Sequence, residues 1–356
     1  MRFFEHQDAA RGQTLRLLLG FTLAIGATVL GVHVALALAW IAARWIWPAP
    51  LPFPAFFFSV NVGVTLALIL GGWWIETSNS KARGGPARLA RRMGAREARP
   101  GMSHAEQRLC NTVDEICISA GMPRPEVMLL PRTDAINAFA MGWDEDDAVV
   151  TVTQGALDWL TREELQGLVA HECSHLHEGD TRLNMQLAGM VFGLELVHEF
   201  GRSVRERGGL AIVVGVVVQT MGSFGWLAGR ALQAAVSRQR EFLADARAVQ
   251  WTRSRDGLGG VLRKVTTQQR AARAQGQASG PSWHPAMRHL LLVGGDSRDG
   301  AWLEAHPPLA ERIERIYGHS MGALPLVPVA TTPEDRVAAA PAAAPAVVTE
   351  GPWTLV

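Results

Sequence analysis

Two histidines one helical turn apart, with a glutamate between them, carry the chemistry available to this sequence. They stand in Leu165-Gln166-Gly167-Leu168-Val169-Ala170-His171-Glu172-Cys173-Ser174-His175. On a helix, positions i and i+4 share a face, so both imidazoles reach one point in space. Two neutral imidazoles so placed can share one tetrahedral zinc ion, and Glu172 projects near enough to take a proton from a water that the ion activates. A chance H-E-x-x-H arises in about one in a hundred chains of this length, so a further ligand has to be found before the motif is read as a site. Cys173 is about 100° further round the helix than Glu172 and reads as a small core filler. His177 is about 160° from His175 and reads as solvated or as a partner of other side chains.

The flanking residues build the helix that this geometry requires. Thr161 and Glu164 form a T-x-x-E capping box ahead of the apolar run. Upstream, Ser103 and Glu106 repeat the pattern, Leu109, Val113, Ile116 and Ala120 line one face, and Gly121 ends that helix. Strands are expected at 126–130, 135–142 and 148–152. The acidic turn Asp144-Glu145-Asp146-Asp147 makes a hairpin of the last two, and a short helix follows at 154–160.

A zinc site with two histidines needs one more protein ligand and an open position. Ser237-Arg238-Gln239-Arg240-Glu241-Phe242-Leu243-Ala244-Asp245 offers it. Glu241 can bind the metal, and Asp245, one turn on, can accept the free ring N–H of a ligand histidine. Taken alone, the same segment is a surface helix laced with Arg–Glu pairs.

The chain between and before these motifs is strongly apolar. Residues 17–43 and 55–75 carry no charge other than that of histidine, and each exceeds or matches the roughly 20 residues that cross a bilayer. Pro48, Pro50, Pro52 and Pro54 separate them, and Trp45, Trp47, Trp73 and Trp74 lie near their ends, as interfacial aromatics do. Residues 183–201 and 208–229 form a second apolar pair, expected as an antiparallel hairpin that returns Glu241 to the zinc helix. Gly189 and Gly193 permit close helix approach. His33 and the Glu195/His198 pair read as polar packing. Lys81, Arg83, Arg88, Arg91, Arg92, Arg96 and Arg99 follow the second span and place that side in the cytoplasm. Arg202, Arg205 and Arg207 run against that rule, so either the third segment stops short or the first loops dominate.

Composition agrees with a membrane protein in a reducing compartment. The 356 residues carry a net charge of +1 and contain 12 Trp and 12 Phe against 1 Tyr. Cys110, Cys117 and Cys173 form no framework of paired spacings. No basic stripe interleaved with aromatics is present, so a nucleic-acid partner is not expected.

H-E-x-x-H, two further apolar segments and then R-E-x-x-A-D resemble the layout of HtpX-type membrane zinc endopeptidases, relatives of the CAAX prenyl proteases in the gluzincin group. Asn137-Ala138-Phe139-Ala140 looks like that family's substrate-binding edge strand, and His306-Pro307-Pro308-Leu309-Ala310-Glu311-Arg312 like its H-P-x-L-x-x-R signature. The resemblance implies a mainly α fold with a small β-sheet, an α+β gluzincin catalytic domain joined to a membrane bundle of about four segments. It implies one Zn2+ per chain held by His171, His175 and Glu241, Glu172 as general base, and His306 or Arg312 as oxyanion stabiliser, with Arg312 as a partner of Asp245 the other reading. Polypeptide substrates, misfolded or membrane-bound, are expected on the cytoplasmic side of a bacterial inner membrane.

The expected organisation is a membrane hairpin at 1–78, a first catalytic part at 79–182, a second hairpin at 183–232, a second catalytic part at 233–320 and a disordered Ala/Pro-rich tail at 321–356. Residues 253–299 read as an insert. A CAAX-type processing protease, a zinc-binding adaptor without proteolytic activity and a membrane structural protein with an accidental motif are the competing functions.

Overall fold

The uncharged stretches fold into helices that lie side by side. In the computed structural model, which describes residues 3–46, 52–82, 85–209, 211–275 and 306–329, α1 (Phe3–Ile46) and α2 (Phe57–Ala82) form the first hairpin. α7 (Asp180–Arg205) and α8 (Ala211–Thr252) form the second. They make a ring in which α1 touches α2, α2 touches α7, α7 touches α8 and α8 returns to α1. Glycines set the close approaches. A Cβ on Gly193 would lie 2.2 Å from the Ile69 carbonyl oxygen, so α7 meets α2 backbone to backbone. One on Gly222 would lie 2.5 Å from the His198 nitrogen, and Gly201 meets Gln219 in the same way, which fixes α7 and α8 as antiparallel.

Three of the four, within α1, α2 and α8, are long and apolar enough to cross a membrane. α7 is the exception to the expected set. It is sheltered between α2 and α8, so its polar residues have partners there: His198 Nδ1 is 2.8 Å from Ser223 Oγ, and its Nε2 is 3.4 Å from Gln219. The proline turn expected around Pro48 and Pro50 lies outside the described residues.

The second unit is built on a four-stranded sheet in the order β1-β2-β4-β3, with β1 (Arg96–Glu97), β2 (Glu126–Leu130), β3 (Ala138–Met141) and β4 (Val149–Thr153). β3 and β4 are the expected antiparallel hairpin, in the register Phe139 to Thr151. β2 runs parallel to β4, and β1 adds an edge that the sequence pattern does not announce. One face of the sheet is covered by α3 (Gly85–Arg92), with Ala90 against Met128 and Phe139. The other carries the main core, to which α4 (His104–Ala120), α5 (Gln154–Trp159) and α6 (Arg162–His177) contribute.

Residues 253–274 are not an insert. α9 (Arg255–Ala274) packs along α6, burying Leu258, Val261, Leu262 and Val265 in the same core as that H-E-x-x-H helix. A Cβ on Gly167 would lie 2.3 Å from the Leu258 nitrogen, so the two backbones touch. The remainder, 276–299, lies outside the described residues. The tail also begins later than expected. Residues 321–329 run across α9 and α5, held by Thr267 Oγ1 to the Leu324 carbonyl at 2.5 Å and by Val329 N to the Asp158 carbonyl at 2.8 Å. Residues 330–356 lie outside the described residues. The expected boundary at 233 falls inside α8, which passes without a break from the bundle into the catalytic part.

Candidate metal centre

α6 carries the first two candidate ligands. Thr161 caps it through its hydroxyl, which accepts from Glu164 N, while the Glu164 carboxylate accepts from Thr161 N at 2.8 Å. Leu165, Leu168, Val169, Ala170 and Cys173 fill the core, so the metal-facing side is buried from below. His171 and His175 present Nε2 atoms 3.3 Å apart. α8 delivers Glu241 opposite them, with Oε2 3.6 Å from His171 Nε2 and Oε1 3.5 Å from His175 Nε2. A tetrahedral ion with bonds of 2.0–2.1 Å separates its ligand atoms by roughly 3.3–3.4 Å. The imidazole pair therefore matches one edge of such a site, each Nε2 has a different Glu241 oxygen within 3.6 Å, and the three residues form a group able to hold a metal ion.

The far side of each imidazole faces a carboxylate. His171 Nδ1 is 3.1 Å from Asp245 Oδ1, and His175 Nδ1 is 2.9 Å from Asp180 Oδ2. Both Nε2 atoms are thus turned toward Glu241. Burial disfavours a charged imidazole, yet the Asp245 and Glu241 carboxylates outweigh it at His171 and raise its pKa. At His175, Asp180 and Glu241 do so more strongly. Glu172 is buried beside them, and its Oε1 has no hydrogen-bond partner among the described residues. Desolvation raises its pKa, against the pull of His171 and His175. Such a carboxylate is a stronger base than one in water.

α10 (Leu309–Tyr317) brings the last motif to the same place. His306 lies just before it, with Nδ1 3.3 Å from Glu241 Oε1 and neither ring nitrogen hydrogen-bonded among the described residues. Arg312 is fully buried. It grips Asp245 through Nε at 2.9 Å and Nη2 at 2.6 Å, and its Nη1 is 3.0 Å from Glu241 Oε2. Of the two roles considered for Arg312, the geometry supplies the partner of Asp245, which it grips with two donors while Nη1 reaches Glu241.

Residues 103–320 match the model of Peptidase family M48. The chain belongs to peptidase family M48. Within M48 it is similar to proteins described as "Protease HtpX homolog". That of Dictyoglomus thermophilum is 34% identical over 215 residues, 58% of this chain and 68% of the relative. That of Thermoanaerobacter pseudethanolicus is 32% identical over 225 residues, 60% and 72%. That of Streptococcus uberis is 28% identical over 272 residues, 72% and 86%. The M48 match covers α4 through α10, and therefore every residue of the cluster as well as α9.

Two expected residue sets lie differently from one another. His171, Glu172, His175, Glu241, Asp245, His306 and Arg312 come together. Ala138, Phe139 and Ala140 stand on the terminal strand β3, which packs against α6, and Asn137 immediately precedes it. Phe139 points under α3, while Ala138 and Ala140 point into the main core. Asn137 departs from the expected substrate contact. It is buried, and its Oδ1 accepts from Ala138 N at 2.9 Å, so its side chain starts the strand. What β3 can offer a ligand is its open backbone edge, which has no neighbouring strand among the described residues. Asp180 and Arg240, 2.6 Å apart, adjoin the cluster through His175 Nδ1, a contact that no sequence spacing announces. His177 stacks edge-on against Trp251, away from the cluster.

Proposed function

We propose that this HtpX-like metalloprotease is a zinc endopeptidase that cleaves misfolded or membrane-bound polypeptides at the cytoplasmic face of the bacterial inner membrane, in membrane protein quality control. The observation that carries the reading is the convergence of His171 Nε2 and His175 Nε2, 3.3 Å apart, on the Glu241 carboxylate, whose Oε2 is 3.6 Å from the first and whose Oε1 is 3.5 Å from the second. Nitrogen and carboxylate donors in that number suit Zn2+ with one position open. When bound, the ion lowers the pKa of water toward neutrality and polarises the scissile carbonyl.

The chain's own residues then divide the work. Glu172, buried and of raised pKa, accepts the proton of the attacking water at its carboxylate and delivers it to the leaving amine. Asp245 and Asp180 hold the imidazoles in the tautomer that leaves Nε2 free for the metal. His306, beside Glu241 with uncommitted ring nitrogens, is placed to donate to the developing oxyanion. The backbone edge of β3 accepts substrate as an added strand, which gives affinity without demanding a sequence. Glu241 shares its helix with a candidate span, so the site lies at the foot of the bundle, where membrane chains emerge. Exposed Arg88, Arg91 and Arg92 on α3 support a cytoplasmic placement of that side by the positive-inside rule.

The test is metal analysis of the purified protein beside Glu172→Gln, with cleavage of an unfolded protein such as casein. Stoichiometric zinc in both and turnover in the wild type alone is the expected result. Loss of zinc in Glu172→Gln would make Glu172 a ligand and overturn the assignment.

A further inference from the structure

The two histidines are held in parallel ways, and one of the holders lies outside the motifs that define the site. On the first, His171 leads to Asp245 and then to Arg312. On the second, His175 leads to Asp180 and then to Arg240, with distances of 2.9 Å and 2.6 Å. We infer that Asp180 and Arg240 are positioning residues of the metal centre, a second carboxylate–arginine chain that orients His175 and ties it to the helix carrying Glu241. The inference rests on the metal reading above.

Local structure puts Asp180 where a surface residue would be expected. α6 ends at His177, and Gly179 takes φ 71°, ψ 21°, a left-handed conformation that reverses the chain. Asp180 then becomes the first residue of α7 and is buried beneath the corner, 2% exposed. A buried carboxylate is tolerated only when paired, and here each oxygen has its own cation or N–H. Oδ2 faces His175 Nδ1, and Oδ1 faces Arg240. Arg240 immediately precedes Glu241, so the ion pair limits rotation of α8 at the third ligand. The next residue extends the junction: Thr181 Oγ1 donates to the Gly142 carbonyl at 2.9 Å, directly after β3. One corner thus touches a ligand histidine, the ligand-bearing helix and the end of the edge strand.

A plain structural staple would make the same contacts, so the test needs a readout of the metal itself. Full-length wild type, Asp180→Ala, Asp180→Asn and Arg240→Gln are purified in detergent, and zinc affinity is measured by chelator competition. The cobalt-substituted forms are examined by visible absorption, and the melting of metal-free protein is followed in parallel. Asp180→Ala is expected to bind zinc roughly 10–100-fold more weakly. Asp180→Asn keeps an acceptor for His175 but not the charge, and should weaken zinc by a smaller factor. All three variants should shift the cobalt bands, since the imidazole and Glu241 are reoriented. If Asp180→Ala does not fold, Asp180→Asn and Arg240→Gln carry the test. Wild-type zinc affinity and an unchanged cobalt spectrum in the folded variants, whatever their melting temperatures, would reduce the pair to a staple and overturn the inference alone. A wild type that takes up no zinc would overturn the metal reading and this inference with it.

Discussion

Replacing Arg312 with methionine separates two roles that its motif allows. In the structure the guanidinium is wholly buried and neutralises Asp245 by two hydrogen bonds, of 2.9 and 2.6 Å, and Glu241 at 3.0 Å. The carboxylates in turn raise the pKa of the guanidinium, so it carries its charge at any pH the fold survives. Methionine fills most of the volume but leaves two buried carboxylates without their cation. Breaking such a pair costs about 3–5 kcal/mol. For a unit of this size that corresponds to a loss of roughly 6–20 °C in melting temperature. The loss should be larger with zinc than without it, because zinc at a hundredfold excess over its Kd adds about 2.7 kcal/mol and a variant that binds it more weakly gains less. The assay is thermal unfolding with and without chelator, together with zinc affinity, which should fall. Arg312→Lys keeps one charge but cannot grip Asp245 with two parallel donors, and should fall between. A methionine variant with wild-type melting and zinc affinity but abolished turnover would refute the reasoning and return Arg312 to the oxyanion.

Other outcomes follow from the same geometry. Glu241→Ala removes the carboxylate that faces both imidazoles and should abolish tight zinc binding while leaving membrane insertion intact; Asp245→Ala should weaken binding roughly 10–100-fold, both read by chelator competition. Glu106 is held by Arg96 through bonds of 2.7 and 2.8 Å and by Arg99 N at 2.7 Å. Against the opposing effect of burial these lower its pKa. A depressed folded pKa stabilises above the unfolded value of about 4.3 and is lost as pH falls through the folded one. Glu106→Gln should therefore cost about 1 kcal/mol at pH 7, discounted because Arg96 is partly exposed, and almost nothing at the acid end. Equal destabilisation at both pH values, by thermal melts, would contradict the assignment.

What could be read from the sequence was local. The box at Thr161 and Glu164, the i, i+4 histidines and the left-handed Gly121 are set within one or two helical turns, and the structure shows each of them. The box at Ser103 formed only by half: the hydroxyl accepts from Glu106 N, but the Glu106 carboxylate turned to Arg96 and Arg99, a tertiary pairing that no spacing announces. α9 was obscured by its polar residues, although Leu258, Val261, Leu262 and Val265 have helical spacing and bury a continuous stripe. Asp180 follows His175 by five positions, off its helical face, and only the corner at Gly179 brings it back. α7 is mixed in character because its neighbours are helices, so a test for lipid-facing apolarity does not describe it.

The unbroken course of α8 has a mechanical consequence. From Gly222, where it touches α7, to Glu241 the helix rises about 28 Å. A rigid tilt of about 2° at the upper contact therefore swings the Glu241 carboxylate by about 1 Å, a displacement that in enzymes can cost roughly 100-fold in rate. Hydrophobic mismatch is relieved by helix tilt. A change of bilayer thickness that tilted α8 would move Glu241, and the ion pairs of Arg240 to Asp180, Arg247 to Glu178 and Arg312 to Asp245 oppose such a swing. Tilting the bundle would thus reach the metal centre through the one helix they share, with nothing interposed.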